Sequence, residues 1–306
     1  MDLTLSGGVS VFRTSSYLFK STGHAAKIFA LKELGNIYMR LMNPTTDILE
    51  QRVSMLEGGA ASVAFSSGTA AIFSTIVTIA EAGDNIVSAS NLYGGTYTQF
   101  DVILPKLGIQ TRFVDAREPR NFKQAIDPKT RALFIETIGN PVLDFTNVKP
   151  VADVAHEHGL PLIVDATFTT PYLLRTIEHG ADIVINSLTK WMGGHGAAIG
   201  GIVTDSGQFD WKSGRHPLFS EPDTNYHGLR WAFDLPETLA PLAFALRLRT
   251  MPLRNLGACI SLDNSWIFLQ GLRLFPSAWS VTAKMRNVSR SILPNTPKLP
   301  GSVIPA

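Results

Sequence analysis

Between residues 61 and 186, short apolar runs alternate with helix-like segments, and this alternation restricts the possible folds more than any other feature of the chain. Strand candidates fall at 61–65, 85–89, 110–114, 131–136, 162–165 and 182–186. Helix candidates lie between them at 68–80, 95–107, 119–126 and 148–158, with a helical turn over 171–179. Strands separated by helices cannot pair as tight hairpins. The pattern therefore predicts a mostly parallel sheet covered by helices on both faces, an α/β fold. Upstream, Asn43 is a candidate N-cap and Pro44 the first helical residue. Leu49, Val53 and Leu56 follow at helical spacing, and Gly58-Gly59 ends that helix.

The flanks are less regular. Residues 1–36 are irregular, with 14–19 reading as extended and 24–34 as a short helix. Beyond Gly201, residues 205–223 are polar and turn-rich, while 235–249 and 255–272 are long helix candidates that would begin a second layer. Residues 295–306 hold three prolines and no periodicity, so they read as a loop or frayed tail. The chain is thereby divided into an N-terminal arm (1–43), a main domain (44–234) and a helical connection (235–306).

The 306 residues carry a net charge of +2 without blocks of like charge, which argues against nucleic acid or an acidic membrane as partner. The single cysteine, Cys259, excludes an internal disulfide framework and is expected in a helix as a small hydrophobe. No apolar run reaches membrane-spanning length, and the N-terminus shows no basic region followed by an apolar core. The expectation is a soluble, cytoplasmic protein.

An alternating sheet invites a dinucleotide, yet no GxGxxG follows the first strand and no GxxxxGK[ST] occurs. There is no GxSxG elbow, and the seven histidines include no HExxH pair, so no metal site is expected. Polar residues at strand ends remain. In residues 181–201, a buried strand runs into Ser187, Thr189 and Lys190 before a glycine-rich turn. A lysine beside a buried strand is costly unless partnered, and an amine kept partly unprotonated is a Schiff-base nucleophile. The competing reading is a lysine snorkelling to solvent. Ser66, Ser67, Gly68 and Thr69 join a strand to a helix and suit an anion at free backbone N–H groups, or are simply a serine-capped turn. Asp165 ends the apolar run LIVD as a buried carboxylate or as an N-cap. Tyr93 follows a strand at a glycine turn, and Asn140 follows another. In a parallel sheet all of these share the C-terminal rim, where ligands bind. An amine, a phosphate cradle, a buried carboxylate and an aromatic ring together match the needs of pyridoxal 5′-phosphate.

Several segments carry a family resemblance: GNIYMRLMNPTTDILEQRVSMLEGG, SSGTAA, AGDNIVSASNLYGGTY, FIETIGNP, LIVDATF, SLTKWMGGHG, SEPDTNYHGL and FLQGL. Over residues 14–274 the chain resembles the pyridoxal-phosphate enzymes of cysteine and methionine metabolism, and the last two segments point to the sulfhydrylase branch. The resemblance implies a seven-stranded sheet of the aspartate-aminotransferase type. By position it implies that Lys190 holds the cofactor as a Schiff base and moves protons, and that Asp165 pairs with the pyridinium nitrogen. It further implies that Gly68, Thr69, Ser187 and Thr189 hold the phosphate, that Tyr93 stacks on the ring, and that Asn140 lies against its phenolic oxygen. Tyr38 and Arg40 would reach the phosphate in a neighbouring subunit, implying a homodimer and commonly a homotetramer. The implied reaction is a γ-replacement of methionine biosynthesis: O-acetylhomoserine plus sulfide gives homocysteine and acetate, and a thiol such as methanethiol gives methionine. Cystathionine synthase, γ-lyase and secondary-metabolic γ-substitution are implied alternatives, as is a cofactor-binding paralogue without turnover. Three departures stand out. Ala166 replaces the family's usual Asn, and the arm before Thr14 is short. The similarity also fades after Leu274, where relatives continue into a domain bearing an arginine for the substrate carboxylate. Arg273, Arg286 and Arg290 do not match that arginine's setting, and the C-terminal subdomain is expected to be incomplete.

Overall fold

The computed structural model of the chain describes residues 8–273. After a short helix α1 (Thr22–Phe29), α2 (Pro44–Glu57) begins and ends as its sequence dictates. The Asn43 side chain caps the Thr45 N–H, and Gly58 closes the helix in the left-handed region at φ 78°. Strands β1 (Ala61–Phe65), β2 (Asn85–Ala89), β3 (Gln110–Val114), β4 (Thr130–Glu136), β5 (Leu162–Asp165), β6 (Ile183–Asn186) and β7 (Gly201–Asp205) form one seven-stranded sheet. Its order is β1-β7-β6-β5-β4-β2-β3. β2 through β6 pair in parallel, whereas β7 runs antiparallel to both β6 and β1. The connection 187–200 contains no crossover helix, so the chain can only turn back beside β6.

Helices α3 (Gly68–Ile79), α6 (Pro119–Ala125) and α7 (Val148–Glu157) link the strands; α4 (Gly94–Thr98) and α5 (Leu104–Lys106) lie between α3 and α6. The central strands are buried on both faces: Val87, Leu133, Ile163 and Ile185 are all inaccessible. That explains why they read as continuous apolar runs rather than alternating ones. The edge strand β1 is covered by side chains. Glu50 of α2 accepts the Ala64 N–H at 2.8 Å, and Arg249 donates to Glu50 at 2.6 Å and to the Ser62 carbonyl at 3.3 Å.

Three expectations need correction. The helix expected over 95–107 is present without a break over 94–106, and the difference lies only in its middle, where π-helical Gln99–Ile103 joins α4 to α5. The helix expected from 235 starts only at Ala240–Leu242 and Ala243–Leu248: Pro236 disfavours a helical Leu235 before it, and Pro241 sits in the first turn, where proline is tolerated. The helix expected from 255 breaks at Gly257, which has φ 80°, and helix resumes at 262–273. Cys259 therefore lies in no helix; it pairs antiparallel with Phe65 at the end of β1. The extended reading of 14–19 appears as a bridge between Ser16 and Tyr38. The tail 295–306, Arg286 and Arg290 lie outside the described residues, as does the rest of the 235–306 segment beyond Arg273. Among the described residues no helix is long and apolar enough to cross a membrane.

Candidate active site

The parallel strands end on one rim, and the phosphate-type turn forms where β1 meets α3. Ser67 caps α3 by accepting the Ala70 N–H at 3.1 Å. The N–H groups of Gly68 and Thr69 have no protein acceptor among the described residues, as expected for the first turn of a helix. A Cβ on Gly68 would stand 2.7 Å from Ser187 Cβ, and one on Gly201 would stand 2.2 Å from the Ser67 carbonyl oxygen. Glycine at both positions lets the α3 terminus, the start of β7 and Ser187 close into one cradle.

Asp165 sits half-buried at the end of β5 and accepts the Thr167 N–H at 2.9 Å. Burial raises its carboxyl above the usual aspartate range, and hydrogen bonds from Thr167 oppose the shift. The Thr167 hydroxyl in turn accepts the Ser187 N–H at 2.8 Å, so Thr167 links the carboxylate to the cradle. Sequence reading passed over Thr167, though it lies two residues after Asp165 in DATF. Ala166 is fully buried, with its N–H on the Ile185 carbonyl at 2.9 Å, and packs in the core.

Glu136 was also missed. It is only 4% exposed and lies directly across from Asp165 in the β4–β5 register. It accepts the backbone N–H of Tyr93 at 2.8 Å, and the Asn140 N–H also faces it. Its carboxyl is pushed up to about 9, first by burial and next by the charge of Asp165. Tyr93 and Asn140, both predicted site residues, are thus tied to one side chain. A further link joins Gln99, at the π-turn, to the Thr69 carbonyl at 3.1 Å.

Lys190 follows β6 on the same rim. It is exposed, and no ion pair reaches its Nζ among the described residues. Its backbone is held by Lys190 N–H to Ser187 C=O at 3.1 Å and Gly194 N–H to Lys190 C=O at 3.0 Å. Thr189 is turned to Gly200, donating to its carbonyl at 3.2 Å and accepting its N–H at 3.1 Å. Tyr38 and Arg40 stand apart from this group within the chain. The Arg40 guanidinium lies over the Tyr38 ring at 5.4 Å, and no hydrogen bond links either side chain to Lys190, Asp165 or Ser187. A cavity of about 470 Å³ beside Leu56, Tyr172 and Arg175 includes none of the predicted site residues.

The donor set fits a phosphorylated pyridine aldehyde. The cradle offers open N–H groups for a dianion, Asp165 offers a carboxylate whose burial demands a cationic partner, and Lys190 offers an amine. The family described as Cys/Met metabolism PLP-dependent enzyme matches residues 4–276, and the chain belongs to it. Pyridoxal 5′-phosphate is the cofactor of that family.

The chain is 50% identical over 277 residues to an O-acetyl-L-homoserine sulfhydrylase of Leptospira meyeri, covering 89% of this chain and 63% of that protein. It is 48% identical to a homocysteine synthase of Schizosaccharomyces pombe, covering 88% of this chain and 62% of that one. The chain thus spans less than two thirds of the length of these relatives. Among solved structures, a protein from Campylobacter jejuni assigned as an O-acetylhomoserine (thiol)-lyase superposes with a TM-score of 0.92 at 34% identity. The match covers 98% of this chain and 74% of that one, which carries a pyridoxyl-lysine phosphate.

Proposed function

We propose that this chain forms the cofactor-binding part of a cytoplasmic γ-replacement transferase acting on O-acetylhomoserine and sulfide or a thiol. The observation that carries the proposal is the grouping of Lys190, Asp165, Ser187 and the open α3 terminus on one rim, in a chain half identical to a sulfhydrylase. When bound, pyridoxal 5′-phosphate withdraws electrons from the substrate α-carbon and so stabilises negative charge there.

The chain's own residues hold and orient the cofactor. The N–H groups of Gly68 and Thr69 and the Ser187 hydroxyl bind the phosphate; Thr189, whose hydroxyl is engaged with Gly200, orders the turn beneath it. Asp165 holds a proton at the pyridine nitrogen. Lys190 would anchor the aldehyde carbon through Nζ and would move protons off and back onto the substrate's α- and β-carbons. Tyr93 covers one ring face, and Asn140 orients the substrate end of the ring. Overall, acetate leaves the γ-carbon and the sulfur of hydrosulfide takes its place, giving homocysteine plus acetate. Tyr38, exposed, and Arg40, whose guanidinium pairs with no carboxylate among the described residues, support a homodimer or tetramer in which they face a neighbouring subunit's phosphate.

The test is incubation of protein and pyridoxal 5′-phosphate with O-acetylhomoserine and sulfide, assaying acetate and homocysteine together. Equal release of both is expected. A protein that binds the cofactor yet releases neither overturns the enzyme reading in favour of a cofactor-binding paralogue.

A further inference from the structure

We propose that Glu136 is the positioning residue of this site, holding the Tyr93 and Asn140 loops against Asp165 as a neutral carboxylic acid. The proposal rests on the pyridoxal-phosphate reading above for its role, but not for its protonation state. Glu136 is the last residue of β4, and Asp165, directly beside it, is the last residue of β5. Two carboxyls at the ends of adjacent parallel strands share one rim, and no Arg or Lys forms an ion pair with either among the described residues. Two like charges in such a place repel strongly, so the pair retains one proton. The groups facing Glu136 from its neighbours are Asp165 on β5 and the backbone amides of Tyr93 and Asn140. Hydrogen bonds favour ionisation of both carboxyls, from Thr167 on Asp165 and from the Tyr93 and Asn140 amides on Glu136, but Glu136 is the more deeply covered, 4% exposed against the half-buried Asp165. The proton therefore belongs on Glu136.

A neutral Glu136 does two things. Its oxygen fixes the Tyr93 N–H at the first turn of α4, which sets where the Tyr93 ring stands. It also leaves a single negative charge, that of Asp165, beside the ring nitrogen. An ionised Glu136 would put a second one there.

The experiment compares wild type, Glu136→Gln and Glu136→Ala. Cofactor-free protein is unfolded in urea from pH 5 to pH 9. Glu136 takes up a proton on folding across the window between the ordinary glutamate value, about 4.5, and about 9. Wild type should therefore lose up to about tenfold in its folding equilibrium per pH unit relative to Glu136→Gln, which mimics the neutral acid. A difference that stays flat across this range overturns the proposal. Pyridoxal 5′-phosphate is then titrated at pH 7.5 by its visible absorbance. Glu136→Gln should bind within about threefold of wild type and Glu136→Ala at least about tenfold more weakly, since only the glutamine retains an oxygen for Tyr93. Equal affinity of the alanine variant overturns the positioning role. Should wild type itself bind no pyridoxal 5′-phosphate, the functional reading and the positioning role fail together, while the pH slope still decides the protonation state.

Discussion

The two rims of the sheet differ in which buried charges find partners within the chain. At the N-terminal rim, two carboxylates meet cations: Arg131 pairs with Asp84 at 2.7 Å with both side chains nearly covered, and Asp182 accepts His156 Nε2 and the Leu162 N–H, each at 2.8 Å. Buried Asp205, at the end of antiparallel β7, is met there only by the Gly207 and Ala245 N–H groups among the described residues. At the C-terminal rim, like charges meet, Glu136 beside Asp165, while Lys190 and the first N–H groups of α3 have no protein partner among the described residues. The two ion pairs are complete within the chain and serve stability. The C-terminal rim gains its complement only from a molecule carrying a cation and an anion together, which describes a phosphorylated pyridinium. Strand ends alike in backbone geometry thus differ in function through the pairing of their side chains.

The comparison can be tested by breaking each rim in turn. The largest stability effect is expected at the N-terminal rim. Arg131→Met leaves Asp84 buried without its cation and should cost about 3–5 kcal/mol in urea unfolding at pH 7, with little change in cofactor affinity. The reverse should hold at the other rim. Gly68→Ala forces a methyl group to within 2.7 Å of Ser187 Cβ, and should cost about 1–3 kcal/mol of stability while weakening pyridoxal 5′-phosphate binding about tenfold or more. If Gly68→Ala lowered stability alone, the cradle would be ordinary packing.

The smallest effect is a pH dependence at the N-terminal rim. The hydrogen bond that His156 donates to Asp182, more than the charge of Asp182, raises His156 above the usual histidine value. The pair's contribution is therefore full below about pH 6.5 and fades as pH rises through the raised value. Because His156 is half exposed, the loss in His156→Gln should stay below about 1 kcal/mol at pH 5.5 and vanish at alkaline pH. A penalty that persisted at high pH would mean that the ring packs rather than pairs.

Much of this contrast was legible in the chain, and the reasons are physical. Asn43-Pro44 and Gly58 act locally, so the bounds of α2 were readable; the doubly covered strands betray themselves as apolar runs. Lys190, Asp165 and Gly68 stand out because each is an anomaly in its local pattern. Glu136 does not. It ends FIE as an unremarked charge, and its meaning depends on Asp165, which the sheet brings beside it from 29 positions away. Thr167 was hidden in the same way, since it acts through Ser187, just past the end of another strand. The direction of β7 was not readable either, because GIVTD has the same pattern whichever way it runs. The π-turn at Gln99 and the bridge from Cys259 to Phe65 likewise depend on contacts far along the chain.

The central claim is that the C-terminal rim binds a phosphorylated pyridine aldehyde covalently at Lys190. The most direct measurement is borohydride reduction of the protein after incubation with stoichiometric pyridoxal 5′-phosphate, followed by peptide mapping. A single phosphopyridoxyl mass on the peptide bearing Lys190, absent in Lys190→Ala, is the predicted result. A label scattered over exposed lysines such as Lys149 and Lys212, or unchanged by Lys190→Ala, would contradict it.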